Sequence, residues 1–250
     1  MNIIYGIHSV QECLKSESKP IERIFFSQGI SNRNLQQIID LARSKGIPVK
    51  FEPRIYLDRK TGQAAHQGVM AVCGTQTYWD IEDILTRLSS QPLLVLLDSI
   101  MDPRNLGAVL RSCAVFGVDG VVIPKDNAAG LSPVVSKTAE GALEHIRVAR
   151  VTNLVRSIEL LKERGIWVVG IESGQSTFCN EVDHSIPIAL VFGNEGSGLR
   201  RLVRENCDIL ASIPTSGPLH SLNVSVAAGI ALYEVARSRR SKAVAGKSST

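Results

Sequence analysis

Three features of this 250-residue chain predict an α/β fold built on a mostly parallel sheet. From Leu93 onward, short and uniformly apolar runs alternate with amphipathic stretches at the spacing of βαβ units. The run Ile188 to Phe192 stops abruptly at Gly193, as a strand buried on both faces should. Behind it come GNEGSG and TSGPLH, two loops rich in glycine and small polar residues, and then a long helical pattern. In open α/β sheets ligands sit beyond the carboxyl ends of strands, where backbone donors and acceptors are not consumed by the ladder. Residues 187–240 are therefore the expected floor of a ligand site, with two loops converging from what read as adjacent strand ends.

Composition narrows the class. At 44% hydrophobic the chain is ordinary globular material for one large or two small domains. No apolar run approaches the roughly 18 residues of a membrane span, and the amino end lacks the charged and apolar regions of a secretory signal. A soluble, cytoplasmic protein without membrane contact is expected. Cys13, Cys73, Cys113, Cys179 and Cys207 are odd in number, widely spaced and free of any CxxC, so reduced, packed thiols are expected rather than disulfides or a zinc site. Charge is uneven: residues 1–75 carry ten Lys and Arg against six Asp and Glu, and in the rest of the chain the two signs cancel. The net +4 thus falls in the first third, where the footprint of a polyanion is expected, although a solvated basic surface explains it as well.

The first 75 residues read as a small α/β domain of their own. Ile3 to Tyr5 opens it, Val10 to Leu14 is helical, and Ile21 to Phe26 is a strand. A longer helix starts after Asn32, a good cap, runs through Leu35, Ile38, Ile39 and Ala42, and stops at Gly46. Val49 to Phe51 and Gly68 to Cys73 are two further strands. His66 at the start of the last strand, and His8 in YGIHSV, read as structural hydrogen-bonders, with contact to a polyanion as the competing role. Aromatic residues are scarce and no RNP-like pattern occurs, so recognition by shape and phosphate is expected over base stacking.

Residues 76–92 form the expected linker, with a short helix from Ile81 to Leu88 and Pro92 beyond it. No Gly/Ser repeat marks a loose tether. The second domain, 93–240, opens with the strand Leu93 to Leu97, ending at Asp98. Leu106, Val109, Leu110 and Cys113 then line one helix face, closed at Phe116 and Gly117. Gly120 to Ile123, Ile146 to Val151 and Ile166 to Ile171 are strands, separated by helices over Val134 to Leu143 and from a cap at Thr152 or Asn153 to Arg164. Asp208 to Ile213 is the last strand, and the final helix carries the stripe Leu222, Val226, Ile230 and Tyr233. Residues 241–250 lack an apolar pattern and read as a disordered tail.

Each polar candidate has a plain structural reading. Asn105 suits a helix cap in the loop before its helix, and Arg111, six residues on, an ordinary ion pair. Glu195 in GNEGSG suits the positive end of a helix dipole. That loop is neither a Walker A motif nor a GxGxxG, so phosphate cradling is not expected. Arg200, Arg201 and Arg204 on the next helix either follow phosphates or solvate it. Ser221 and Asn223 are both strong cap types before the final helix, which needs one of them.

Taken together, DPRNLGAVLRS, ALVFGNEGSGLRR and IPTSGPLHSLNVSVAAGIA resemble the SpoU-type, TrmH-like branch of the SPOUT RNA methyltransferases. The likeness runs from YGIHSV to the final helix and is nearest to the bacterial 23S rRNA guanosine ribose 2′-O-methyltransferases. It implies a SPOUT catalytic domain with a C-terminal trefoil knot, an amino-terminal RNA-binding domain of the ribosomal-protein L30 type, S-adenosylmethionine as cosubstrate, and a homodimer. It also implies that Asn105, Arg111, Glu195, Ser221 and Asn223 form the active site, and that Gly193, Ile213 and Leu222, with Ser221 and Asn223, hold the cofactor. His220 departs from the small residue usual at its position.

Methyl transfer from a sulfonium to a ribose 2′-oxygen asks for alignment and for the handling of one proton. A guanidinium does not normally deprotonate in proteins, so Arg111 suits stabilisation of a developing alkoxide, with Glu195, a water or a phosphate oxygen taking the proton. No metal is expected, and DNA, which lacks the 2′-hydroxyl, should be inert. The competing readings are the same chemistry on tRNA or another rRNA site, a non-catalytic RNA-binding protein on the same fold, and a nicotinamide-dependent oxidoreductase. Retention of all five polar candidates counts against the second, and absence of GxGxxG against the third.

Overall fold

The computed structural model describes residues 2–15, 21–29, 32–73, 78–218 and 221–247. His220 lies outside these described residues. The chain divides into two compact units, Met1–Thr77 with Leu131–His145, and Tyr78–Gly130 with Ile146–Thr250.

The first unit is a four-stranded mixed sheet in the order β1-β4-β2-β3, formed by β1 (Asn2–Tyr5), β2 (Ile21–Ser27), β3 (Val49–Glu52) and β4 (Val69–Cys73). Alternation along β4 explains why all five of its residues are buried. Val69, Ala71 and Cys73 pack with Ile24 and Phe26 of β2, Val10 and Leu14 of α1 (Ile7–Lys15), and Leu35 and Ile38 of α2 (Arg33–Ser44). Met70 and Val72 join Phe25 and Leu57 in a smaller cluster. Leu57 belongs to α3 (Arg54–Thr61), a helix the apolar pattern does not reveal because Leu57 is its one buried residue. Asn32 caps α2, its side chain accepting the Asn34 N–H at 2.9 Å. His66 is buried: its Nδ1 accepts the Gly68 N–H at 3.0 Å and its Nε2 meets Asp58 at 2.9 Å, the structural role expected of it.

The second unit holds six strands, all parallel, in the order β10-β8-β9-β5-β6-β7. These are β5 (Leu93–Leu97), β6 (Gly120–Pro124), β7 (Val148–Val151), β8 (Trp167–Ile171), β9 (Ile188–Phe192) and β10 (Ile209–Ala211). Every residue of β5, β6 and β9 is buried, as central strands covered on both faces require. Leu94, Leu96, Ala189 and Val191 pack with α4 (Ile81–Leu85), α7 (Leu154–Glu163) and α8 (Arg201–Asn206). By strand alternation Val95 and Leu97 face the opposite side. The helices α5 (Pro103–Val115) and α9 (Val224–Lys247) pack along one another.

Several elements differ from their sequence reading. The strands that precede the two glycine-rich loops are not neighbours, because β8 lies between β9 and β10. Residues 78–92 are not a spacer: Trp79 pairs with the edge strand β7, its N–H donating to Val148 at 2.9 Å, and Ile84 and Leu85 enter the core. Residues 131–145, counted by order with the second domain, cluster with the first unit. There α6 (Pro133–Ala139) packs on β1 and gives way to a 3-10 turn where Glu140 and Gly141 adopt positive φ. Asn105 is not the cap of α5; Asp102 is, accepting the Arg104 N–H at 2.7 Å. The stripe Val226 and Tyr233 faces outward on α9, and the buried side is Val224, Ala228, Ala231, Leu232 and Val235. Finally, α9 continues past residue 240 to Lys247 through Ala- and Lys-rich sequence of high helix propensity, where a tail was expected.

Candidate functional site

The cavity lies at the carboxyl edge of the parallel sheet, has a volume of about 420 Å³, and is formed wholly within the second unit. One wall is the loop after β9. A Cβ on Gly193 would stand 2.2 Å from the carbonyl carbon of Gly198, so only glycine lets these two stretches of backbone touch. The loop is closed on itself by Asn194 and Gly198, whose N–H groups donate to each other's carbonyls at 3.1 and 2.9 Å. The Asn194 side chain bridges outward and inward, donating to the Ser99 carbonyl at 3.0 Å and accepting the Gly196 N–H at 2.9 Å. Ser99 holds a φ of 63°, a conformation non-glycine residues rarely adopt, immediately after β5.

Of the sequence candidates, Gly193, Glu195, Ile213, Ser221 and Leu222 line the cavity. Asn105 and Asn223 stand behind its rim and are joined to it. The Asn223 amide donates to the Asn105 side-chain oxygen at 3.1 Å, and the Asn105 amide donates to a Glu195 carboxylate oxygen. Asn223 also caps α9, accepting the N–H of Ser225 at 2.9 Å and its hydroxyl at 2.6 Å. The N-terminus of α5, the β9 loop and the N-terminus of α9 are thereby locked together by three side chains. Arg111 lies on α5 six residues after Asn105, about 9 Å along the axis, and is exposed in the single chain.

The third strand end was missed by sequence reasoning. Because β8 runs between β9 and β10, Ile171, Glu172 and Ser173 join the cavity wall. The signal was present in the abrupt change from Trp167–Ile171 to ESG, but strand order cannot be read from a strand's own residues. Three arginines are held by carboxylates. Arg200 precedes α8 and donates its Nε to the fully buried Asp98 at 2.6 Å. Arg201 pairs with Glu205 at 2.9 Å, and Arg204 with Glu172 at 2.8 Å. Arg239 donates to the carbonyls of Gln91, Pro92, His184 and Ile186 at 2.6 to 3.3 Å. Burial pushes the Cys113 thiol up and raises Cys207 to about 12, so neither suits nucleophilic work. Among the described residues no group of three or more His, Cys, Asp or Glu side chains is placed to hold a metal ion. Nor is any helix among them long and apolar enough to cross a membrane.

A glycine-walled, partly apolar cavity at the strand ends of a parallel sheet is the place where α/β proteins bind small ligands. The chain belongs to the SpoU rRNA methylase family, whose profile matches residues 92–233. Residues 3–79 match the substrate-binding region of RNA 2′-O ribose methyltransferases. The protein is therefore an RNA-methylating enzyme, and methylation in this family uses S-adenosylmethionine. It is 43% identical over 240 residues to a Bacillus subtilis protein whose name assigns it to the TrmH family of tRNA/rRNA methyltransferases, covering 94% of this chain and 95% of that one. It is 42% identical over 247 residues to the 23S rRNA (guanosine-2′-O-)-methyltransferase RlmB of Escherichia coli K12, covering 95% and 98%. Among solved structures, the S-adenosylmethionine-bound rRNA methyltransferase of Sinorhizobium meliloti superposes with a TM-score of 0.81 at 25% identity, covering 94% of this chain and 87% of that one. The SpoU methyltransferase AviRb of Streptomyces viridochromogenes shares the fold with a TM-score of 0.84 at 24% identity, covering 96% and 90%.

Proposed function

We propose that this protein methylates the ribose 2′-hydroxyl of a guanosine in 23S rRNA, as its relatives named RlmB do. The observation that carries the reading is the chain of side-chain bonds from Asn223 through Asn105 to Glu195 at the rim of the cavity. The cavity fits the adenosyl cosubstrate: the Gly193–Gly198 contact leaves backbone for an adenine edge, and Ile213 and Leu222 supply apolar walls. When bound, S-adenosylmethionine supplies a methyl group already activated on its sulfonium. Gly193, Ile213, Leu222 and Ser221, which line the cavity, would hold it, with Asn223 supporting the rim through Asn105, and alignment is their chief contribution, drawing on the about 7–11 kcal/mol available from proximity. Glu195, oriented by Asn105, accepts the hydrogen of the ribose hydroxyl, and Arg111 stabilises the alkoxide charge that develops as it leaves.

The same reading includes a homodimer. Val226 and Tyr233 on α9 and Val115 on α5 are 49, 53 and 73% exposed, an apolar surface on the helices that carry the site. A second copy seated there brings more groups near Arg111. A trefoil knot in the last third is consistent with a chain that leaves β9, passes beyond β8 to β10, and returns in α9 against α5. Residues 1–75 act as an L30-like RNA-recruiting domain, 93–240 as the catalytic domain, and the work is cytoplasmic.

The test is transfer of labelled methyl from S-adenosylmethionine to 23S rRNA, 16S rRNA and tRNA, with the marks mapped by nucleotide. Label at one 23S guanosine ribose supports the reading. Label in tRNA alone replaces the substrate, and label on a base refutes the chemistry. Arg111→Lys should lose most turnover with unchanged cosubstrate affinity; near-normal turnover would remove the guanidinium from the mechanism.

A further inference from the structure

The proposed mechanism leaves unused one charged group that faces the cavity. Glu172 and Glu195 are the charged residues among those lining it. Glu195 is engaged by Asn105. Glu172 follows β8 directly, and the sheet register sets it level with Gly193 beyond β9 and Ser212 beyond β10, between the two loops proposed to hold the adenosyl group. Its backbone is fixed by a 3.0 Å bond from its N–H to the Ala211 carbonyl. Its side chain is fixed on one oxygen only. Oε2 accepts from Arg204 Nε at 2.8 Å and from Gln175 Nε2 at 3.1 Å. Oε1 lies beside Gly198, 3.0 Å from where a Cβ there would stand, and accepts no hydrogen bond among the described residues. A carboxylate oxygen is an acceptor, so with Oε2 doubly occupied, Oε1 beside the cavity-lining Gly198 is free to take a donor from a ligand.

We propose that Glu172 is a cosubstrate-recognition residue that accepts a hydrogen bond from a ribose hydroxyl of the adenosyl group, and that Arg204 and Gln175 are positioning residues that aim it. The assignment rests on the proposed use of the cavity for S-adenosylmethionine. A ribose diol fits better than the amino-acid portion because Glu172 sits between the wall residues Gly193 and Ile213, which the proposed function sets against the nucleoside. A carboxylate at the end of a parallel strand reads a ribose hydroxyl in dinucleotide folds by the same geometry. Arg204 Nε, 2.8 Å from Oε2, holds the carboxylate in place in a wall where its side chain is 21% exposed.

The experiment is calorimetric binding to the full-length protein, with S-adenosylmethionine, 5′-methylthioadenosine, and the 2′-deoxy and 3′-deoxy forms of the latter as probes. 5′-Methylthioadenosine lacks the amino-acid portion and so isolates the nucleoside. The unaltered protein should bind one deoxy form about 10- to 100-fold more weakly, the range for a hydrogen bond to a charged acceptor. Glu172→Ala should lose a similar factor for 5′-methylthioadenosine and no longer distinguish it from that deoxy form. Glu172→Gln, which keeps the shape of the wall, should fall between the two and guards against misfolding, monitored by thermal melting. Equal discrimination by the folded Glu172 variants and the unaltered protein overturns the assignment. Weaker binding of S-adenosylmethionine by Glu172→Ala, with 5′-methylthioadenosine unaffected, also overturns it and moves the contact to the ammonium group. Absence of S-adenosylmethionine binding by the unaltered protein would sink the underlying reading itself, an outcome distinct from the other two.

Discussion

Substituting Gly193 by alanine tests whether the cavity depends on backbone touching backbone. The added Cβ would stand 2.2 Å from the Gly198 carbonyl carbon and 2.4 Å from both the Gly198 oxygen and the Leu199 nitrogen. Carbon atoms pack at about 3.5–4.0 Å, so more than about 1 Å of separation must be made up. No rotamer can yield it, because the obstructing atoms are main chain, tied back by the Asn194–Gly198 pair at 3.1 and 2.9 Å. Relief requires the loop to open. Overpacking of this kind costs about 1–3 kcal/mol, a fall of about 2–12 °C in melting temperature for a chain of this size. Because the same loop walls the cavity, S-adenosylmethionine affinity should fall at least about tenfold, the equivalent of about 1.4 kcal/mol. Gly196→Ala is the control: its Cβ meets nothing nearer than Asn194 Oδ1 at 3.6 Å, and it should change stability by less than about 0.5 kcal/mol. Scanning calorimetry and binding titration decide the matter. Gly193→Ala with unchanged melting temperature and affinity would refute the steric argument.

Arg239→Lys should cost about 2–3 kcal/mol in urea unfolding, because an ammonium cannot serve the Gln91, Pro92, His184 and Ile186 carbonyls together; an unchanged midpoint would contradict that. His184 is buried and its pKa is held below the ordinary value chiefly by that burial. The unfolded state therefore binds the proton more readily, and stability should be present above the unfolded value of about 6.5 and decline as pH falls through it. Unfolding free energies of the unaltered protein and His184→Gln between pH 7.5 and 5 should then show the shallower slope in the variant. At pH 8 a thiol reagent should reach Cys113 and Cys207 only after unfolding, since burial disfavors both thiolates, and rapid native labelling of either by mass spectrometry would oppose this. Glu195→Gln should bind S-adenosylmethionine within about threefold of the unaltered protein yet lower turnover by about 10²-fold or more; equal turnover would remove its carboxylate from the chemistry.

Some features that read clearly in the sequence serve otherwise in the structure. Asn105 looked like a cap, yet Asp102 caps α5 and frees the Asn105 amide for Glu195. Arg200, Arg201 and Arg204 read as following phosphates or solvating their helix, and in the structure each is paired with a carboxylate of its own unit. The stripe of Val226 and Tyr233 is a true helical pattern whose face is turned outward, because α9 is apolar on two sides and only packing selects which is buried. In each case the residue type was legible and its partner was not.

Local pattern alone determined the parallel sheet and the glycine loop that ends β9, since burial on both faces, helical spacing and abrupt strand ends are written within a few residues of each position. The family, too, was legible in three short motifs. Only the tertiary structure placed β8 between β9 and β10, set Glu172 in the cavity wall, and closed the bonds from Asn223 to Asn105 to Glu195 across 118 and 90 residues of chain. Strand order and such closures depend on which distant segments meet, and that is decided by the packing of the whole unit rather than by the propensity of any segment within it.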